Sequence, residues 1–270
     1  MNTISYLSLL VSMEMIFGSQ TVAQEKNMWN GKSCAVCLTY DDALEVHLNN
    51  VIPLLDSLGF HATFYIAGSF PGFTKRVQDW KSAAGHGHEL GNHTLFHPCE
   101  GKSPGREWVN PDYDLNRYSM QRLMDEIKST NVLLNAVDGA RERTFAYPCG
   151  DTKIGDSSYV PKIKNDFIAA RGVQRKMQAL REIDLWDIGA YAVNGQSGKE
   201  LIELVKEAMN KNVLLVFLFH GVGGEHSINV SLEAHNELLH FLKQNEKDVW
   251  VAPLKDIAGY IKTQREPKIK

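Results

Sequence analysis

Two adjacent carboxylates, Asp41 and Asp42, end the apolar run Cys34-Ala-Val-Cys-Leu-Thr-Tyr40, and a His-x-x-x-His pair follows at His93 and His97. Neutral imidazoles suit zinc and other divalent transition metals, and a carboxylate can supply the third ligand. Three protein ligands leave one position open for water, as a hydrolytic metal site requires. One aspartate can complete that set while its neighbour serves as a base. The four-residue spacing predicts a helical turn with both imidazoles on one side. The chain has ten histidines, so such a pair is expected by chance and the spacing alone carries little. Its surroundings, Asn92-His-Thr-Leu-Phe-His97, and the Asp-Asp at a strand end carry more.

These residues need elements to position them. After residue 28 the pattern alternates strand and helix. Strands are predicted at 34–40, 62–67, 143–147, 166–170, 213–219 and 249–251. Helices are predicted at 50–59, 74–84, 116–136, 200–209, 232–242 and 253–261. The alternation predicts an α/β fold, a mainly parallel sheet with helices outside it. Closed into a (β/α) barrel, such a sheet carries its chemistry on loops after the C-terminal ends of strands. Asp41, Asp42, Pro148 and His220 all fall at such ends. No repeat or linker interrupts the pattern, which predicts one domain over residues 28–264. The longest irregular stretch, 98–113, has the length of a lid or binding loop.

Composition narrows the function classes. With 43% hydrophobic and 23% charged residues, the chain can bury a sizeable core. The 29 Lys and Arg nearly balance 32 Asp and Glu, which leaves no basic footprint for nucleic acid. The first 23 residues read as a signal peptide cleaved after Ala23, with Thr21-Val-Ala23 as the small-residue site. No Lys or Arg precedes the apolar run and Glu14 interrupts it, so a buried N-terminal helix is the alternative. Cleavage would leave an exported chain with no transmembrane anchor. Cys34 and Cys37 lie within a strand and point to opposite faces, which argues for core packing over a zinc knuckle or redox pair. Cys99 and Cys149 adjoin the candidate motifs. Export permits a disulfide there, and two reduced thiols are an equal alternative.

Four segments occur in the order seen in polysaccharide deacetylases, the NodB-homology enzymes of carbohydrate esterase family 4. They are Thr39-Tyr-Asp-Asp42, Gly87-His-Glu-Leu-Gly-Asn-His-Thr-Leu-Phe-His97, Tyr147-Pro-Cys-Gly150 and Leu218-Phe-His220. The resemblance spans residues 30 to 262. It implies a single distorted (β/α) barrel and a hydrolase that removes N- or O-linked acetyl groups from an acetylated glycan. It further implies Asp41 as general base, His220 as general acid, and Asp42, His93 and His97 as ligands of one divalent metal. Zinc suits that set, with cobalt or nickel as alternatives. The backbone N–H of Cys149 would donate to the oxyanion. Thr94, Tyr147, Pro148, Trp108, Trp186 and Asp187 are candidates to bind substrate or to support the catalytic and metal-binding side chains.

The sequence also departs from the resemblance. Many members carry Arg two residues before the proline of the third motif, where it positions the base; here that residue is Ala146. The first motif ends Asp42-Ala43 rather than Asp-Gly. Asp184-Leu-Trp-Asp187 holds the nearest candidate to orient His220. His86 and His88 read as supporting the metal ligands from behind or facing solvent, and His226, His235 and His240 as having no catalytic role. Trp108, Tyr113 and Trp186 could stack on sugar rings or pack in the core. Two other readings remain: a hydrolase of another small amide or ureide, and a carbohydrate-binding relative without turnover.

Overall fold

β1 (Cys34–Asp41) is buried along its whole length, as befits a central strand covered on both faces. A computed structural model describes residues 29–266; the expected signal peptide over residues 1–23 lies outside them. After β1 a π-helical turn at His47–Val51 runs into α1 (Ile52–Leu58). Next come β2 (Thr63–Ile66), α2 (Pro71–Thr74), α3 (Val77–Gly85), β3 (Glu89–Asn92), α4 (Met120–Asp138) and β4 (Phe145–Ala146). The hairpin β5 (Lys153–Ile154) and β6 (Ser157–Ser158) leads to α5 (Val160–Ile163), β7 (Ala170–Arg171) and β8 (Tyr191–Ala192). The chain closes with α6 (Gly198–Lys211), β9 (Leu214–Phe219), β10 (Gly221–Val222), β11 (Asn229–Val230), α7 (Leu232–Gln244), β12 (Val249–Val251) and α8 (Leu254–Arg265).

The main sheet runs β7-β4-β3-β2-β1-β9-β8, with β12 also paired to β1, and every pairing in it is parallel. This is the distorted (β/α) barrel of the NodB type that the alternating pattern and the resemblance predict. One edge of β1 is shared: β12 takes Cys34–Val36 and β2 takes Thr39–Asp41, while β9 takes the other edge. Between β7 and β8 only the bridge Arg171–Ile188 continues the pairing, and this is where the barrel is distorted.

Alternation along β1 divides the core. Cys34, Val36, Leu38 and Tyr40 face α1, α3, α6 and α7, whose apolar stripes include Leu55, Trp80, Val205 and Leu238. Ala35 and Cys37 face the interior, which α8 closes with Leu254, Ile257 and Ile261. The two cysteines are free and buried on opposite faces, as their odd spacing predicts. Asp41 shares the inward parity of Ala35 and Cys37.

Several expected elements are shorter or displaced. The strand expected at 166–170 is β7, only Ala170–Arg171, and the one at 143–147 is the two-residue β4. Flanking backbone bonds, such as Phe145 N–H to Ala169 C=O and Ile168 N–H to Arg143 C=O, hold the neighbouring residues without regular strand geometry. The Gly-His-rich stretch before His93 contains the unpredicted β3, because strand propensity is low there but tertiary contacts override it. Its Gly91 is needed: a Cβ would sit 2.5 Å from the Tyr65 ring.

Candidate active site at the C-terminal rim

Asp41 ends β1 and turns inward, while Asp42 begins the loop with φ 76° and Ala43 follows with φ 53°. Two consecutive left-handed residues turn the chain sharply enough to bring both carboxylates to one rim. Ala43 occupies a conformation that glycine would adopt with less strain. The Arg171 guanidinium donates from one nitrogen, Nη2, to both Asp41 oxygens, at 2.7 Å and 2.5 Å. Burial alone would raise the Asp41 carboxyl; Arg171, with His93 and His220, outweighs it and holds the pKa below the usual carboxylate value. Arg171 is fully buried and its cation lies 5.0 Å from the Tyr65 ring centre.

Arg171 answers what orients Asp41 in the absence of an arginine at Ala146. β4 pairs with β7 so that Ala146 stands directly opposite Arg171. The positive charge therefore comes from the adjacent strand at the same level. Sequence reasoning missed it, although an arginine directly after the apolar 166–170 run was the available signal.

His93 and His97 do meet, with ring centres 4.6 Å apart, but not on a helical turn. The expected turn is a bend after β3 in which Thr94 (φ 67°) and His97 (φ 54°) are left-handed. Side chains shape that bend: Asn92 Oδ1 accepts from the Thr94 N–H at 2.8 Å, and Thr94 Oγ1 accepts from the His97 N–H at 2.9 Å. Thr94 thus shapes the loop beneath the histidines. His93 Nδ1 donates to the Ala146 carbonyl at 2.9 Å, which leaves its Nε2 lone pair facing the carboxylates. Burial pushes the His93 pKa down to about 4, against the opposing pull of Asp41.

The ligand atoms of Asp42, His93 and His97 all lie within 4.8 Å of one another. Asp42 Oδ1 stands 3.8 Å from His93 Nε2 and 3.6 Å from His97 Nε2, and it is buried without a hydrogen-bond partner. A buried, unpaired carboxylate oxygen facing two imidazoles is costly unless a cation meets it. The donor set therefore fits a divalent transition metal. His97, Cys99 and Cys149 are equally close together, but both cysteines are consumed by a disulfide and offer no thiolate.

His220 follows β9, its Nε2 3.9 Å from Asp42 Oδ2. Burial lowers its pKa, with Asp41 and Asp42 opposing. Its Nδ1 is buried without a hydrogen-bond partner, and Asp187 is instead drawn 3.6 Å from Lys176 Nζ. Asp184 accepts from the Trp186 N–H. Neither aspartate orients His220. Its carbonyl accepts from His47 Nε2 at 2.7 Å, and its ring stacks on His226 with centres 4.8 Å apart and planes at 16°. His226 thus belongs to the surroundings of His220. His235 and His240 lie on α7, and His88 is buried rather than solvent-facing.

Tyr147-Pro148-Cys149 forms the turn after β4, with Cys149 at φ 56°. Its disulfide to Cys99 ties this turn to the loop two residues beyond His97. Arg106 adds to the tie, donating to the Cys149 carbonyl at 3.1 Å and to Asp151 at 2.5 Å. The 98–113 segment is consequently strapped to the third motif along its first half. Trp108 on that segment is 65% exposed, whereas Tyr113 stacks on Phe96. Trp186 is half-buried against the cluster around Tyr147, and the Tyr147 hydroxyl donates to its carbonyl at 2.8 Å.

A parallel barrel carrying two histidines and two carboxylates on its C-terminal rim has the NodB-type architecture. Residues 30–160 match the polysaccharide deacetylase family model. A gellan lyase of a Bacillus species is 25% identical over 246 residues, 88% of this chain and 9% of that protein. The chain thus spans less than a tenth of that relative's length. Among solved structures, a D285S variant of the peptidoglycan deacetylase PdaC of Bacillus subtilis superposes with a TM-score of 0.54 at 19% identity, covering 86% of this chain and 93% of that one. PdaA of Bacillus subtilis, a family 4 carbohydrate esterase, gives 0.54 at 15% identity, covering 86% and 82%. These likenesses show the fold. Among the described residues, no helix is long and apolar enough to cross a membrane.

Proposed function

We propose that this protein is a metal-dependent hydrolase that removes N- or O-linked acetyl groups from a polysaccharide or oligosaccharide. The carrying observation is the contrast between two neighbouring carboxylates: Asp41 is saturated by Arg171, while Asp42 keeps a buried oxygen free beside two imidazoles. Asp42, His93 and His97 would hold one divalent ion, with zinc best suited to two imidazoles and a carboxylate and cobalt or nickel as alternatives. Such an ion, when bound, polarises the acetyl carbonyl and lowers the pKa of water.

The remaining chemistry belongs to the chain. Asp41, kept ionised by Arg171, takes the proton of the attacking water. The Cys149 N–H, fixed by the left-handed turn and the disulfide, donates to the oxygen that becomes negative. His220, on the opposite side of Asp42, gives a proton to the leaving nitrogen or oxygen. Beside Cys149 and Gly150 a cavity of about 300 Å³ is walled by Glu100, Ser103, Asn116, Asp151, Thr152 and Lys153, a polar surface suited to hydroxyl-rich sugars. The glycan substrate also fits an exported location, with the proposed leader at residues 1–23.

Zinc- or cobalt-loaded protein should release acetate from at least one of acetylated xylan, chitin oligomers and peptidoglycan. Asp41→Asn should cut that rate by about 10²–10⁴-fold while metal stays bound. Undiminished acetate release by Asp41→Asn would remove the base assignment, and absence of metal uptake by the wild type would remove the site.

A further inference from the structure

We propose that Arg171 decides which of the two adjacent carboxylates serves the metal, by occupying Asp41 and keeping it off the ion. The proposal rests on the metal-site reading above. Distance to His93 does not make the choice: His93 Nε2 lies 3.7 Å from Asp41 Oδ2 and 3.8 Å from Asp42 Oδ1, although of the two only Asp42 also stands near His97 Nε2, at 3.6 Å. Both oxygens could approach an ion held by His93 after a small side-chain movement. What distinguishes them is their other partners. Both Asp41 oxygens accept from Arg171, and among the described residues no arginine or lysine pairs with Asp42, whose Oδ1 has no hydrogen-bond partner.

The clamp is difficult to release. Arg171 is fully buried, and its other terminal nitrogen donates to the Gly172 carbonyl at 3.2 Å. Should Asp41 leave it for a metal, a guanidinium would remain buried without a counter-ion, which is strongly unfavourable. Arg171 thus makes the two carboxylates inequivalent: one is neutralised internally and the other needs a cation. It is a positioning residue, because it acts through Asp41. Without it, Asp41 becomes an additional ligand, and the base is lost to the metal.

Cobalt reports the ligand set through its visible spectrum, independently of turnover. Arg171→Met removes the charge at similar length. Its Co²⁺ complex should show an altered visible spectrum and at least threefold tighter binding, with acetate release reduced at least 100-fold. Adding Asp41→Asn to that variant should return the spectrum to that of Asp41→Asn alone. Tighter binding with an unaltered spectrum would overturn the proposal, since removing a positive charge tightens cation binding by itself. So would a spectral change that persists without Asp41. Should Arg171→Met not fold, Arg171→Lys carries the same test: its ammonium holds one oxygen less firmly, and a spectrum identical to the wild type together with at least 100-fold loss of turnover overturns the idea. Failure of wild-type protein to bind Co²⁺ would instead refute the metal reading, before Arg171 is in question.

Discussion

Asp41 and His220 face the same cluster but are held by different forces. On the Asp41 side, a buried guanidinium grips both carboxylate oxygens, and a disulfide joins the loops that carry His97 and Cys149. On the His220 side no carboxylate among the described residues reaches Nδ1; His47 fixes the backbone carbonyl and His226 stacks against the ring. The difference follows from what each residue would do. A base that must stay ionised gains from a fixed charge beside it. An imidazole that must give up a proton in every cycle gains from a contact that fixes its plane mainly by packing rather than charge.

Breaking the covalent tie tests the rigid side most severely. The disulfide closes a loop with a sequence separation of 50. In the chain-entropy model, removing it costs about 4 kcal/mol at most, with 2–4 typical. For a domain of this size, roughly 3 kcal/mol lowers Tm by about 6–12 °C. The double substitution Cys99→Ser/Cys149→Ser should show that drop in calorimetry and lose at least tenfold in acetate release, because both the His97 loop and the Cys149 turn are released. An unchanged Tm with unchanged turnover would mean that Arg106 and Asp151 alone hold the loops together.

A smaller effect sharpens the other side. An aromatic pair contributes about 0.5–1.5 kcal/mol beyond its buried area. If the stack orients His220, His226→Ala should lower kcat by about two- to tenfold. His226→Phe should keep it within about twofold. Asp187→Asn, which removes only the Lys176 partner, should change kcat by less than either. Steady-state kinetics on the three variants decide between a packed and a charged orientation for His220: a larger loss in Asp187→Asn than in His226→Ala reverses the assignment.

The same contrast explains what could be read from the chain. Residues 34–40 and 213–219 are long apolar runs, and both are strands within one residue of expectation at each end. The rim positions of Asp41, Asp42 and His220 followed from those ends. Arg171 did not, because its role depends on which strand lies beside which, and β4 and β7 are two residues each with no period to detect. The His93–His97 geometry was expected from helical spacing, yet two left-handed residues brought the rings together by another path. The partner of His220 was sought among carboxylates, and a stacking ring has no spacing rule that would reveal it.

A control away from the rim separates loss of the site from loss of the scaffold on acidification. His88, beside β3, is buried; its Nδ1 accepts from the Ala62 N–H at 3.1 Å and its Nε2 faces Asp56 at 3.1 Å. Burial pushes its pKa down to about 4, against the pull of Asp56. In the unfolded chain the value returns to about 6.5, so below that pH the unfolded state binds more protons. Stability from this residue is present above pH 6.5 and is lost as pH falls through about 4, at up to roughly 1.4 kcal/mol per pH unit. His47 and His235, also buried with values lowered to about 4, act in the same direction. His88→Asn keeps an acceptor close to Nδ1 but cannot titrate. It should be less stable than wild type at pH 7.5, and urea unfolding should find that gap narrower at pH 4.5. Parallel stability curves for the two proteins across that range would show that the acid sensitivity lies elsewhere, with His47, His235 and the histidines of the rim as the remaining places to look.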